Sequence, residues 1–152
     1  MNENMIRQYL STDLNKYIEI VHLNTGEPKE SLYEKIKKKK NEEIFVYIDE
    51  NGNPVGFIIL TPHENGFLIV DWIDADPKFH RKGIGHKLIT FAEKKAKEMW
   101  LWALVVFTSM ETPNAVKFYE SCGFKKKGEL AGFYGLKKPP GLFYMKEIKE
   151  HV

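Results

Sequence analysis

The sequence predicts an α+β domain with a mixed, mostly antiparallel sheet of about six to seven strands flanked by about four helices. Three observations carry this. Apolar runs of strand length outnumber the helical patterns. The segment Asp49-Glu50-Asn51-Gly52-Asn53-Pro54 is a hairpin turn between two such runs. A long amphipathic stretch follows a central apolar run through a basic, glycine-containing turn.

The elements can be justified in order. Met5 to Leu10 reads as a short strand and Thr12 to Leu23 as a helix; after the break at Asn24-Thr25-Gly26-Glu27-Pro28 a second helix runs from Lys29 to about Lys40. Lys37 to Lys40 would close that helix, where cations favour the dipole. Ile44 to Ile48 and Val55 to Leu60 are the hairpin strands. Phe67 to Ile73 is a compact apolar run, short enough for a strand buried on both faces. Gly83 to about Met99 is helical, because Ile84, Leu88, Phe91, Ala92, Ala96 and Met99 recur at the spacing of one buried face while lysines and glutamates fill the other. Leu101 to Phe107 is the next strand. Thr112-Pro113 supplies a cap and a first-turn proline for a short helix from Asn114, and Gly123 supplies its stop. Lys125 to Leu130 and Leu142 to Glu147 are the last strands.

Composition bounds the function. At 152 residues, 43% hydrophobic and 13% aromatic, the chain is expected to form a single domain over residues 1–152 without a disulfide. A net charge of +2 gives no reason to expect a nucleic-acid partner. No run reaches the ~18 apolar residues of a membrane span, and Met1 to Asn4 does not begin a signal peptide. The single Cys122 fits a reducing, cytoplasmic setting and a buried packing role. Five histidines (His22, His63, His80, His86, His151) show no zinc spacing, so no metal is expected. There is no Gly-x-Ser-x-Gly elbow for a hydrolase.

The turn His80-Arg81-Lys82-Gly83-Ile84-Gly85 gathers backbone N–H groups, a helix N-terminus and cationic side chains, which suits a phosphate-bearing ligand. It is not a P-loop, because its glycines are separated only by Ile84 and Leu88 follows Lys87. Nor is it a dinucleotide fingerprint, because the third glycine position is Leu88. A tight strand-to-helix turn with no ligand explains the glycines equally well when they are taken alone.

The second segment, Asn114 through Phe118-Tyr119 to Gly123-Phe124, joins the first at about thirty residues' distance. Together they resemble the two signature segments of the GNAT superfamily of acyl-CoA N-acyltransferases. The sequence departs from that pattern at His80, where Gln or Arg is usual, at Arg81, where a small residue is common, and at Lys117, where alanine is usual. The resemblance implies the GNAT fold and an N-acetyltransferase that moves an acetyl group from acetyl-CoA directly to a primary amine, on a small molecule or on a protein or peptide. The same fold without turnover would be an acyl-CoA-binding regulatory or scaffold protein. A homodimer stays open.

The resemblance also implies roles for residues. Arg81, Lys82, Gly83, Ile84, Gly85 and His86 would hold the diphosphate. The main chain of Ile73, Asp74 and Ala75 would pair with pantetheine and offer an N–H to the thioester oxygen. Asn114 would hold the pantetheine arm, although an amide there could instead cap its helix. Tyr119 would protonate the departing thiolate, although it could simply be core. Tyr134, in the loop rich in aromatics, glycine and proline before the last strand, would shape the acceptor pocket. For the general base, Asp71 stands in an apolar run, where partial burial would raise its pKa. A neighbouring Arg, Lys or Tyr could equally satisfy it, and His63, Glu64, Asp74 or an ordered water chain are alternatives.

Overall fold

A computed structural model describes residues 5–40 and 43–148. The expectations for Met1 to Asn4 and for His151 lie outside the described residues. Seven strands and four α-helices follow one another as β1 (Ile6–Gln8), α1 (Leu14–Thr25), α2 (Lys29–Ile36), β2 (Ile44–Ile48), β3 (Pro54–Pro62), β4 (Phe67–Ala75), α3 (Ile84–Glu98), β5 (Ala103–Ser109), α4 (Pro113–Ser121), β6 (Lys125–Leu130) and β7 (Gly141–Glu147). The strand order is β1-β2-β3-β4-β5-β7-β6. The registered pairs β1–β2, β2–β3, β5–β7 and β6–β7 are antiparallel and β4–β5 is parallel, so the sheet is mixed as the sequence predicts.

The chain forms two compact units. The first holds the described residues up to Leu60 together with Trp72–Phe91. Its apolar core is Tyr9, Tyr17, Ile18, Ile20, Val21, Leu32, Ile36, Ile44, Val46, Phe57 and Ile59. α1 contributes Tyr17, Ile18 and Val21 at three- and four-residue spacing and stops at Gly26, whose φ of 72° lets its N–H reach His22 O at 2.8 Å. Before α1, the buried Asp13 takes both guanidinium nitrogens of Arg7, at 2.8 and 3.0 Å, and the Leu10 N–H at 2.8 Å. In the β2–β3 hairpin, Asp49 Oδ1 accepts the N–H groups of Asn51 and Asn53, both at 2.9 Å. This local bonding is what makes aspartate a turn residue. Gly56 on β3 permits a close approach of α3, since a Cβ there would lie 2.8 Å from Ile84 Cγ2.

The second unit holds Thr61–Asp71 and the described residues from Ala92 onward. β5 is its buried strand, with Ala103 to Val106 buried, and β7 pairs along its full length from Ala103↔Glu147 to Ser109↔Gly141. Cys122 is buried, as the sequence suggests, and burial pushes its thiol pKa up.

Three expectations need correction. α2 ends at Ile36, and Lys37 to Lys40 follow it as exposed residues. The last apolar contact of that helix is Ile36, and a run of four like charges gives no further turn a reason to form. β4 is not buried on both faces: Leu68 and Val70 are buried, Asp71 and Trp72 are exposed, and Ile73, Asp74 and Ala75 are half-buried. Its register with β5 runs only from Phe67↔Ala103 to Ile69↔Val105. α3 buries Ile84, Leu88, Ala92 and Ala96 but ends at Glu98, which leaves Met99 exposed.

Candidate active site

In the first unit, β4 leads into a short 3-10 turn, Pro77–Phe79, and then into α3. Buried Asp76 organises this entry. Its Oδ1 accepts Lys78 N–H at 3.0 Å, its Oδ2 lies 3.3 Å from Lys16 Nζ, and its own N–H reaches Val55 O at 2.8 Å. The chain then turns sharply, with φ of 67° at Arg81 and 77° at Gly83. The space around Gly83 is open, with Lys87 Cε 4.0 Å from where a Cβ would sit. Its glycine therefore answers to conformation, not crowding.

At the start of α3, the N–H groups of Gly83, Ile84 and Gly85 have no acceptor among the described residues. The first N–H groups of a helix have no intrahelical partner, and they carry the positive end of its dipole. Arg81, Lys82 and His86 are exposed around them. Uncommitted donors, a favourable dipole and cationic side chains make an anion cradle. Beside it, Lys82, Ile84 and Lys87 line a cleft of about 590 Å³ whose other walls include Tyr47, Val55 and Phe79.

At the end of β4 the residues expected to pair with a pantetheine arm differ among themselves. Both main-chain groups of Ala75 are engaged within the unit. Its N–H donates to Asp74 Oδ1 at 2.9 Å, and its carbonyl accepts Asn24 Nδ2 at 2.7 Å with His80 Nε2 at 3.3 Å. Ile73 takes no part in this set. Asn24 Nδ2 also donates to Asp74 Oδ1. Burial pushes the Asp74 carboxyl up to about 7, against the Ala75 N–H, the Asn24 amide and the Trp72 indole, which all favour its charged form.

The second unit holds the other expected residues. Asp71 is exposed and accepts a hydrogen bond from Thr61 Oγ1, so the burial expected to make it a base is missing. The reason lies in the strand pairing: β4 leaves its registered pairing with β5 after Ile69, and Asp71 lies beyond the buried positions Leu68 and Val70. One of its partners is a hydroxyl. Of the other acids and bases considered, Glu64 is exposed and His63 Nδ1 accepts the Asn65 N–H at 3.0 Å.

α4 begins with Thr112 at its cap position and Pro113 inside its first turn. Asn114 is therefore not the cap, and its exposed amide has no partner among the described residues. Tyr119 is buried, with its ring edge-on to Phe118 at 5.4 Å and Phe124 at 5.6 Å. Tyr134 is exposed, perpendicular to Phe133 at 5.0 Å, and Phe133 stacks on Phe107 at 5.0 Å. Among the described residues no group of three or more His, Cys, Asp or Glu could hold a metal ion. No helix is long and apolar enough to cross a membrane.

Sequence reasoning missed Asn24 and Lys16. Both sit on α1, far along the chain from β4 and its following turn, and nothing in local periodicity links a helix-end asparagine to a strand fifty residues on.

Comparison with known proteins agrees with this geometry. A family model described as Acetyltransferase (GNAT) family matches residues 7–124. An uncharacterized N-acetyltransferase of Methanocaldococcus jannaschii is 27% identical over 149 residues, covering 88% of this chain and 66% of its own length. The chain thus spans just under two thirds of that relative. Among solved structures, Ard1 from Thermoplasma volcanium superposes with a TM-score of 0.79 at 19% identity, over 94% of this chain and 96% of that one. A chain from Bacillus anthracis str. Ames, solved in complex with acetyl coenzyme A, gives a TM-score of 0.64 at 28% identity over 68% of this chain and 61% of that one. With the fold, the basic glycine turn and the family match in accord, this chain belongs to the GNAT acetyltransferase family.

Proposed function

We propose that the chain is an acetyl-CoA-dependent N-acetyltransferase that moves the acetyl group directly to a primary amine of a small molecule or of a protein or peptide. The observation that carries this is the run of N–H groups at Gly83, Ile84 and Gly85, without acceptors among the described residues, at the positive end of α3. A diphosphate satisfies all three at once and gains from Arg81, Lys82 and His86 beside them. The positive φ at Arg81 turns the chain so that these donors open the helix.

The remaining roles follow from what acyl transfer needs. The thioester supplies an activated acyl carbon. Its oxygen gathers negative charge as the amine attacks, and a main-chain N–H at Ile73 is the assigned partner. The amide of Asn114, exposed and without a partner among the described residues, is assigned to the pantetheine arm. The Tyr119 phenol is assigned to protonate the departing thiolate. Tyr134 is assigned to the acceptor side, where its exposed ring is held against Phe133.

A thermal-shift titration with acetyl-CoA followed by a thiol-release assay over a panel of amines tests this. The expected result is a rise in melting temperature and thiol release that depends on an amine. Binding without amine-dependent release would instead assign the chain to the acyl-CoA-binding scaffold class. Tyr119→Phe is expected to lower turnover far more than cofactor affinity, and equal turnover in both proteins would remove the proton-donor role.

A further inference from the structure

We propose that the cleft beside the glycine turn seats the nucleoside end of the acyl-CoA, and that Lys87 is the residue that reads its 3′-phosphate. The inference rests on the acetyltransferase reading above. It concerns a lysine beyond the basic turn, whose assigned residues run from Arg81 to His86.

The cleft lies wholly in the first unit. Its volume of about 590 Å³ is within the ~300–1,000 Å³ usual for ligand sites, and it shares Lys82 and Ile84 with the anion cradle. Tyr47, Val55 and Ile84 line it as buried residues and give it an aromatic and aliphatic floor. The turn and α3 contribute Lys82 and Lys87, and the β2–β3 turn contributes Asp49, Glu50 and Asn51. Cations on the helix side, acceptors on the hairpin side and an apolar floor between them suit a phosphorylated nucleoside. Its base can lie on the floor, its phosphate on the lysines and the amino group of the base toward the hairpin.

Lys87 is the member of this set whose charge the fold does not use. The half-buried lysines among the described residues are Lys16, Lys87, Lys95, Lys97 and Lys146. Lys16 pairs with Asp76, Lys95 with Glu98 and Lys146 with Glu93, and Lys97 also has a partner. Lys87 meets no carboxylate among the described residues, and its Nζ lies 6.0 Å from the centroid of the Tyr47 ring. The carboxylates of the same cleft do not neutralise it. Asp49 Oδ1 accepts the N–H groups of Asn51 and Asn53, and Glu50 is exposed. Covering the Tyr47 ring needs only the stem of Lys87, which methionine would supply as well.

Connectivity decides which anion meets that charge. In an acyl-CoA the ribose is esterified to the diphosphate through its 5′-carbon and carries a separate phosphate on its 3′-oxygen. The second phosphate is therefore held one sugar ring away from the first pair. Lys87 flanks the turn that takes the diphosphate, since its Cε lies 4.0 Å from where a Cβ on Gly83 would be. Lys82, exposed at the turn, serves the diphosphate, which leaves Lys87 for the 3′-phosphate.

The test compares coenzyme A with 3′-dephospho-coenzyme A, which lacks that phosphate alone, by titration calorimetry on the full chain. The unaltered protein should bind coenzyme A about 10–100-fold more tightly, the range of one charge-assisted contact. Lys87→Met and Lys87→Gln remove the charge and keep a stem over Tyr47. Either should bring that ratio within about threefold, while affinity for 3′-dephospho-coenzyme A changes by less than about threefold, as a pairwise coupling requires. Equal affinity of the unaltered protein for the two ligands overturns the proposal. So does a ratio that survives in the variants, which would reduce Lys87 to packing. Both results leave the acetyltransferase reading standing. Binding of neither ligand by the unaltered chain overturns that reading itself.

Discussion

Asparagine at position 74 should make the protein more stable at pH 8 and leave its stability nearly unchanged at pH 4. The Asp74 carboxyl moves from 3.8 in the unfolded chain to about 7 in the folded one. Between those values the folded state binds more protons than the unfolded state, so stability falls as pH rises through that window and levels off above it. Three pKa steps at ~1.4 kcal/mol each set a ceiling of about 4 kcal/mol. Solvent screening of a half-buried carboxylate reduces this to about 1–2 kcal/mol. Asp74→Asn removes the titration while its single amide oxygen can stand in for Oδ1, which accepts both Ala75 N–H and Asn24. Urea denaturation at pH 4, 6 and 8 reads the difference between the two proteins, and at pH 8 it corresponds to roughly 2–8 °C in Tm. A difference that stays flat from pH 4 to pH 8 would refute the reasoning, because it would mean that Asp74 titrates alike in the folded and unfolded chains.

Two further substitutions test the turn and its support. Arg81→Gly removes the cost of a left-handed arginine, about 1–2 kcal/mol, and adds about 0.4–1 kcal/mol of unfolded-state entropy, so the free protein should be unchanged or up to about 1.6 kcal/mol more stable in urea. The same change should weaken acetyl-CoA binding several-fold by calorimetry, so stability and affinity would move in opposite directions. Gly56→Ala places a methyl 2.8 Å from Ile84 Cγ2 and should destabilise by about 1–3 kcal/mol in urea. Adding Ile84→Val should recover part of that loss, and no recovery would place the strain elsewhere.

The strands and helices were legible where short-range chemistry sets them. The β2–β3 hairpin follows from Asp49, Asn51, Gly52 and Asn53, and α4 from Thr112-Pro113 at one end and Gly123 at the other. The glycine turn and its donors were legible too, because a helix start is a local event. Burial along β4 was not. The run Phe67 to Ile73 looks uniformly apolar, but exposure of Asp71 and Trp72 depends on where pairing with β5 stops, and that is a tertiary fact. The same limit hid Asn24, whose two bonds to Asp74 and Ala75 cross fifty residues of sequence, so that Asp71 was the more conspicuous acid while Asp74 is the one the fold half-buries.

Features that cost stability are concentrated at the end of β4 and the start of α3. Between Asp74 and Gly85 lie a half-buried carboxylate with no cation among the described residues, an arginine with φ of 67° and three N–H groups with no acceptor among the described residues. Elsewhere in the same unit Asp13, Glu27 and Asp76 are paired with cations, the half-buried Asp49 accepts two N–H groups of its turn, and among the described residues no buried side-chain nitrogen or oxygen lacks a partner. Among the described residues, the other non-glycine with positive φ is Trp100, and it has an ordinary cause. It stops α3, with Leu101 N–H reaching Ala96 O at 2.9 Å across the turn. Arg81 follows the short 3-10 turn Pro77–Phe79, and Lys82 N–H reaches Phe79 O at 3.2 Å across it, a turn that glycine would close at less cost. Selection for stability alone would put glycine at 81 and a neutral side chain at 74. An arginine with positive φ beside the first N–H groups of α3 is what an anion-binding turn would keep at a cost in stability, and opposite movements of stability and acetyl-CoA affinity in Arg81→Gly are the test of that reading.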